Sequence, residues 1–283
     1  MLNFSRSKNL VISAVGDSSI HEEWIAGGKK DFDLALVYYG DQKGRYKNDA
    51  DYYLESKGYK WHLISDIYEK FERTFSKYSF IWCPDDDVSA SPSTLKKMFK
   101  YCKDKNLNLA QPSLTADSFY GMPITLNKFH LEFRFTNVVE QMAPVFKGKV
   151  FKDLKKTFRE TNSGWGLDWV WPKILDYEKC GIIDLVQVKH TKEGRVGELY
   201  TKYKQENIYP PAEKKKLLRR YQIPVAICTE ISNIERPRER VCALHEIPQV
   251  RNRFNHFFRR DKGCSNACRK VGTRLLNLKN LID

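Results

Sequence analysis

No stretch of this chain approaches the roughly 18 consecutive apolar residues that a membrane-spanning helix requires, so any contact with a bilayer is expected at its surface. A glycine-rich dinucleotide fingerprint is also missing, which argues against a nicotinamide-dependent reductase. There is no internal repeat and no low-complexity tract. The opening MLNFSRSKNLVISAVGD holds an apolar run too brief for a secretory h-region. Cysteine is sparse and scattered: seven residues, an odd number, with Cys264 and Cys268 four apart and no second pair at zinc-finger spacing. That argues against a disulfide framework and favours a reducing compartment. The expected location is the cytoplasm, with a peripheral place on the inner face of the membrane left open.

What is present suits a globular enzyme. The 283 residues are 41% hydrophobic and 13% aromatic, enough for a sizeable core. The net charge is +14. It points to a polyanionic partner: nucleic acid, an anionic membrane or a phosphate-bearing substrate. Residues 211–283 carry 17 Lys and Arg against 7 Asp and Glu, so about +10 of that charge sits in the C-terminal quarter.

Short apolar runs rich in β-branched residues recur along the first 115 residues. NLVISAV (9–15) ends in Gly16-Asp17, DLALVYY (33–39) in Gly40-Asp41, and SFIWC (79–83) in Pro84 and three aspartates. YKWHLI (59–64) reads as a further strand and LNLAQ (107–111) as another, stopped by Pro112. Helical spacing over 65–78 and a Ser91-Pro92-Ser93 start signal place helices between them. This alternation implies an α/β fold, a mostly parallel sheet with helices on both faces. Further on, VVEQMAPVF (138–146) could be a strand, FKDLKKTFRET (151–161) is helical, NSGWGLDWVWPKIL (162–175) is a turn leading into a helix, and IIDLVQVKH (182–190) is a strand. The expected organisation is a catalytic domain over 1–204 and a basic, helical extension over 205–283, serving acceptor, membrane or oligomer contact.

Asp85-Asp86-Asp87 at a strand end is the sharpest chemical signal. Clustered carboxylates repel, and burial raises the cost. A divalent cation such as Mn²⁺ or Mg²⁺ relieves the conflict and then holds a diphosphate. A solvated acidic loop or helix cap is the bland alternative. In Ser163-Gly164-Trp165-Gly166-Leu167-Asp168, two glycines allow a tight turn and Trp165 offers an indole face for a sugar. Asp168 then either caps a helix or acts as general base toward an acceptor hydroxyl. His190, closing its strand, is either a late metal ligand or an ordinary core histidine.

Seven ordered blocks over about residues 9–200 resemble the DUF707 family, which is similar to GT-A-type glycosyltransferases: VGDSSIHEEWI, FDLALVYYGD, FIWCPDDDV, LAQPSL, VVEQMAPVF, NSGWGLDWVW and IIDLVQVKHT. The resemblance implies an inverting transfer from a nucleotide-sugar donor to a glycan or lipid-linked acceptor at the cell surface. It implies that Asp85 and Asp87 are the outer carboxylates of a DxD motif, with Asp86 between them and His190 completing the metal site. Gly16, Asp17 and Asp41 fall where the nucleoside is contacted. Trp165, Gly166 and Glu140 fall on the acceptor side, and Asp168 in the position of the base. Leu167-Asp168 departs from the Glu-Asp pair common in inverting enzymes. Two other functions use some of the same features. A metal-dependent phosphodiesterase or nucleotidyltransferase would use the aspartates with two metals and leave the Trp-Gly segment idle. A nucleic-acid-binding protein would use RNRFNHFFRR (251–260) and leave the aspartates idle.

Overall fold

The computed structural model describes residues 8–27, 30–193, 198–224 and 227–236. RNRFNHFFRR, Cys242, Cys264, Cys268 and most of the basic extension lie outside the described residues. The elements are β1 (Asn9–Val15), α1 (Glu22–Ile25), β2 (Asp33–Tyr38), β3 (Tyr52–Glu55), α2 (Lys60–Lys70), α3 (Glu72–Phe75), β4 (Phe80–Trp82), β5 (Val88–Ser89), α4 (Pro92–Asp104) and β6 (Leu109–Leu114). They continue with β7 (Leu131–Thr136), β8 (Val145–Lys147), α5 (Gly148–Leu154), α6 (Leu167–Ile174), β9 (Cys180–His190), α7 (Glu198–Gln205), α8 (Pro210–Arg220) and β10 (Glu230–Glu235).

The strands lie side by side in the order β3-β2-β1-β4-β8-β6-β9-β7-β10, and β5 pairs separately with β9. Strands β3, β2, β1 and β4 are mutually parallel. Strand β8 runs against both β4 and β6, β6 and β9 are parallel, and β7 runs against β9 and β10. Successive residues of a strand face opposite sides. Accordingly Leu10, Ile12 and Ala14 pack with Trp61, Ile64 and Tyr68 of α2, Phe151 of α5 and Trp171 of α6. Val11 and Val15 pack on the other face with Trp24 of α1 and Leu95 and Met98 of α4. Burying each such side chain contributes about 1.5–3 kcal/mol relative to exposure. Two apolar layers therefore clamp a mostly parallel sheet between helices, as the alternation of elements implies.

Several boundaries differ from the sequence reading. Residues 60–64, expected as strand, open α2. Tyr59, Trp61 and Leu63 alternate over six residues, but Trp61, Ile64, Ile67 and Tyr68 continue at helical spacing and all are buried. The third strand is Tyr52–Glu55 instead. Strand β6 runs through Pro112, which the ladder tolerates because the register shifts between Pro112 and Ser113. Within 138–146 only Val145–Lys147 begins a strand, and the residues before it form a loop. The helix expected over 151–161 ends at Leu154 and gives way to one 3₁₀ turn. Helix α4 starts as its motif requires, with Ser91 Oγ accepting the Thr94 N–H at 3.2 Å and Pro92 in the first turn. Helix α8 and strand β10, from the segment assigned to the extension, belong to the compact unit that ends at Glu235.

Candidate active site at the strand ends

Strand β4 delivers the three aspartates to the carboxyl edge of the sheet, where open α/β folds bind ligands. Cys83 N–H donates to Pro144 O at 2.9 Å and Asp85 N–H to Met142 O at 2.7 Å, so the segment is pinned to the loop before β8. The three carboxylates then take different partners. Asp86 Oδ2 accepts the Gly16 N–H at 2.8 Å, and its carbonyl accepts the Ile20 N–H at 2.8 Å. It fastens the loop after β1. Burial pushes its carboxyl up to about 6 against the opposing Gly16 N–H. Asp85 Oδ1 accepts from Lys60 Nζ at 2.5 Å. Burial raises the Asp85 carboxyl and Lys60 works against that rise. Asp87 keeps one buried oxygen without a hydrogen-bond partner.

The two-residue β5–β9 ladder pairs Val88 with His190 and so carries His190 to the aspartates. His190 Nε2 stands 3.4 Å from Asp87 Oδ1. Its Nδ1 lies 2.9 Å from Phe119 O, which fixes the proton there and turns Nε2 inward. Burial disfavours the imidazolium, but the Asp87 and Asp85 carboxylates outweigh it and push His190 up to about 9. Ligand atoms of Asp85, Asp87 and His190 all lie within 4.8 Å of one another. Two carboxylates, one reached only by a long ion pair, and an oriented imidazole suit a hard divalent ion such as Mn²⁺ or Mg²⁺.

A second acidic pair flanks this cluster. Asp168, in the first turn of α6, is only 5% exposed, and its Oδ1 accepts the Gln141 N–H at 2.6 Å. Its carbonyl accepts the Val139 N–H at 3.0 Å. Burial pushes this carboxyl up to about 6, opposed by the N–H groups of Gln141, Asp168 itself and Gly166. Glu140 N–H donates to Gln111 Oε1 at 2.5 Å, while Glu140 Oε2 is buried with no partner. Burial and then the Asp168 charge push the Glu140 carboxyl up to about 8.

The Trp-Gly turn is built around Gln141. Trp61 Nε1 donates to Gln141 Oε1 at 2.6 Å, and Gln141 Nε2 donates to Ser163 O at 3.2 Å. Gly164 has φ +78°, and a Cβ there would stand 1.9 Å from Gln141 Oε1. Gly164→Ala therefore has to break the Trp61–Gln141 contact as well as strain the backbone. We expect a loss of about 1–3 kcal/mol, visible as a lower urea midpoint at unchanged slope. Gly166, φ +102°, packs on α8, where a Cβ would meet Lys214 and Leu217 at 3.2 Å. Trp165 is half-buried beside it.

Of the expected nucleoside contacts, Gly16 joins the aspartates directly. Asp17 follows it, accepting from the Tyr38 hydroxyl, with its carbonyl held by Arg45 at 2.8 Å. Asp41 is not gathered in: its side chain is 91% exposed and paired with Lys57 at 2.5 Å. Sequence alone did not single out Lys60, Gln111, Lys192 or Lys214. Lys60 was hidden by the strand reading of 59–64. Lys192 Nζ reaches Ser18 Oγ at 2.8 Å, and Lys214 Nζ lies 3.9 Å over the Trp169 ring.

Among solved structures, S. aureus TarS residues 1–349 in complex with UDP-GlcNAc is similar at TM-score 0.51 and 14% identity, covering 76% of this chain and 66% of that one. The fold is GT-A-like. The complex of TarS 1–349 with UDP aligns over 64% of this chain and 59% of that one at 12% identity and TM-score 0.42. This chain thus spans just under two thirds of the first of those lengths and less of the second. No family model matches it, so the kinship to DUF707 stays a resemblance, and no curated protein matches either. In this GT-A-like frame Gly16, Asp85 and Asp87 all follow the carboxyl ends of parallel strands β1 and β4. Among the described residues no helix is long and apolar enough to cross a membrane.

Proposed function

We propose that this chain is a metal-dependent glycosyltransferase that moves a sugar from a nucleoside-diphosphate donor to a glycan or lipid-linked acceptor with inversion. The observation that carries it is the convergence of Asp85, Asp87 and His190 within 4.8 Å on the ligand-binding edge of a GT-A-like sheet. The similar TarS structure holds UDP-GlcNAc, which supports a uridine-linked sugar as the donor class. Asp85, Asp87 and His190 would hold Mn²⁺ or Mg²⁺, which neutralises charge on a departing diphosphate. Asp86 keeps the Gly16–Ile20 loop seated, so that Gly16 and Asp17 face the nucleoside. Lys60 limits the repulsion between Asp85 and Asp87 in the metal-free protein. Trp165 and Gly166 lie on the acceptor side, and the general base comes from the Glu140–Asp168 pair. The cationic side chains of α8 and the segment after it would dock an anionic membrane face or a phosphorylated acceptor, at roughly 1 kcal/mol per Lys or Arg near the surface.

A panel of nucleotide sugars, each with and without Mn²⁺, tests the proposal by thermal shift. At a hundred times its dissociation constant a ligand stabilises by about 2.7 kcal/mol, or roughly 5–10 °C for a domain of this size. We expect that shift only when metal and a uridine-diphosphate sugar are present together. No shift with any pair would overturn it. Release of a nucleoside monophosphate rather than a diphosphate would instead assign a phosphodiesterase or nucleotidyltransferase.

A further inference from the structure

Two carboxylates flank the acceptor side of the site, and they are held in different ways. Asp168 is committed to the backbone. One oxygen takes the Gln141 N–H at 2.6 Å, its carbonyl takes the Val139 N–H at 3.0 Å, and its side chain is almost sealed from solvent. These bonds tie the 139–141 segment across the start of α6. The N–H groups of Gln141, Asp168 itself and Gly166 all bear on this carboxylate, so fewer of its acceptor sites are open to a substrate proton. Glu140 sits between those two anchored neighbours, with its own N–H held by Gln111 Oε1 at 2.5 Å. Its backbone is therefore fixed, yet its Oε2 is buried without a partner. Buried polar atoms are rarely left unsatisfied, and a catalytic role is one of the physical reasons that keep one so. Its other oxygen faces Gly121, where a Cβ would come within 3.0 Å. The missing side chain at Gly121 leaves room beside that oxygen.

We infer that Glu140 takes the proton from the acceptor hydroxyl, and that Asp168 is a positioning residue which holds the Glu140 segment in place. The inference rests on the glycosyl-transfer reading above. In the step, the acceptor oxygen forms a bond to the anomeric carbon as the carbon–oxygen bond to the diphosphate breaks. That bond's electron pair leaves with the diphosphate, and the hydroxyl proton passes to the Glu140 carboxylate and on to solvent. With water as acceptor the products are free sugar and nucleoside diphosphate. The charged groups facing Glu140 agree with this role: Asp168 from α6, His190 from β9, Asp85 after β4 and Lys60 from α2. Burial and the carboxylates raise the proton affinity of Glu140, the two cations restrain it, and the result lies near neutral pH, where a general base works best.

The test is steady-state release of UDP from UDP-GlcNAc with Mn²⁺, with water as acceptor, alongside thermal shift by UDP and Mn²⁺. Glu140→Gln should lower kcat by about 10²–10⁴-fold with little change in KM and an intact UDP–Mn²⁺ shift. A base works only when ionised, so wild-type kcat should fall as pH drops through the Glu140 ionisation, and this limb should vanish in Glu140→Gln. In Asp168→Asn the side-chain amide oxygen can still accept the Gln141 N–H, so that variant should lose at most about tenfold. Asp168→Ala, with no acceptor, should lose more and melt lower; rescue by the amide marks positioning. The inference is overturned if Asp168→Asn abolishes turnover at an unchanged melting temperature while Glu140→Gln keeps it. A wild-type chain that neither binds nor hydrolyses the donor overturns the glycosyl-transfer reading itself, and this assignment with it.

Discussion

Asp87→Ala should remove Mn²⁺-supported donor binding while costing the metal-free protein only its ion pair with His190, a modest loss at neutral pH that disappears as pH rises past about 9. Asp87 Oδ1 is buried and faces His190 Nε2 at 3.4 Å, a long ion pair rather than a full hydrogen bond. Even the loss of a group behind a ligand costs about 10–100-fold in metal affinity, and the loss of a ligand itself should exceed that. Apart from that ion pair, the local backbone keeps its bonds. The backbone of Asp87 is held by Thr191, whose N–H and hydroxyl donate to its carbonyl at 3.0 and 2.8 Å, and alanine keeps both bonds. Removing one of three adjacent carboxylates also relieves repulsion. Calorimetric titration with Mn²⁺, paired with melting in the presence of a chelator, separates the two effects. The same titration carries a proton signature. His190 in the metal-free site is protonated below about 9, and it must lose that proton to offer Nε2. Mn²⁺ affinity should therefore fall as pH drops below that value, with proton release on binding. In Asp87→Ala the carboxylate that props up the imidazolium is gone, and proton release at neutral pH should shrink. Retained affinity in Asp87→Ala would show that the cluster is not a metal site.

How far the sequence discloses this site follows from the range of each signal. Local signals held. The apolar runs of β1, β2 and β4, each leading into a polar turn, mark strands whose ends share an edge, and Ser91-Pro92 marks a helix start. The Asp85–Asp87 triplet is read from its position directly after SFIWC. Signals that depend on tertiary pairing were weaker. Six residues from Tyr59 alternate as a strand would, and only the continuation through Ile67 and Tyr68 shows that Lys60 opens a helix and reaches Asp85. The antiparallel insertion of β8 between β4 and β6 leaves no trace in periodicity, because VVEQMAPVF is loop for most of its length. Asp41 looked equivalent to Asp17, each following a strand and a glycine, yet it turns out to solvent toward Lys57. The distinction between Glu140 and Asp168 is invisible in one dimension, since it rests on which oxygen a backbone N–H occupies.

Arg134→Met should damage the fold severely, and it reaches the site through one loop. Arg134 on β7 and Asp184 on β9 are both fully buried and meet in a two-pronged pair, Nε to Oδ2 at 2.7 Å and Nη2 to Oδ1 at 2.9 Å. The guanidinium also donates to the Ile124 and Leu126 carbonyls at 2.6 and 2.9 Å, and Asp184 Oδ1 accepts the Lys128 N–H at 2.7 Å. The pair thus holds residues 124–128 against the sheet. Methionine leaves the buried Asp184 carboxylate without its guanidinium counter-charge, at a cost of about 3–5 kcal/mol, which corresponds to a melting temperature lower by roughly 6–20 °C. Removing both charges, in Arg134→Met with Asp184→Leu, should recover most of that loss, because the isolated charge and not the missing pair is the main expense. Metal affinity should not recover with it. Residues 124–128 follow the 115–122 loop, whose Phe119 carbonyl orients His190 and whose Ser118 hydroxyl accepts the His190 N–H at 3.3 Å. In the double variant the Ile124 and Leu126 carbonyls still lack their guanidinium donor, so this loop should hold His190 less firmly. Melting temperature restored alongside weakened Mn²⁺ binding would separate the pair's part in folding from its part in supporting the site; full recovery of both would confine it to folding.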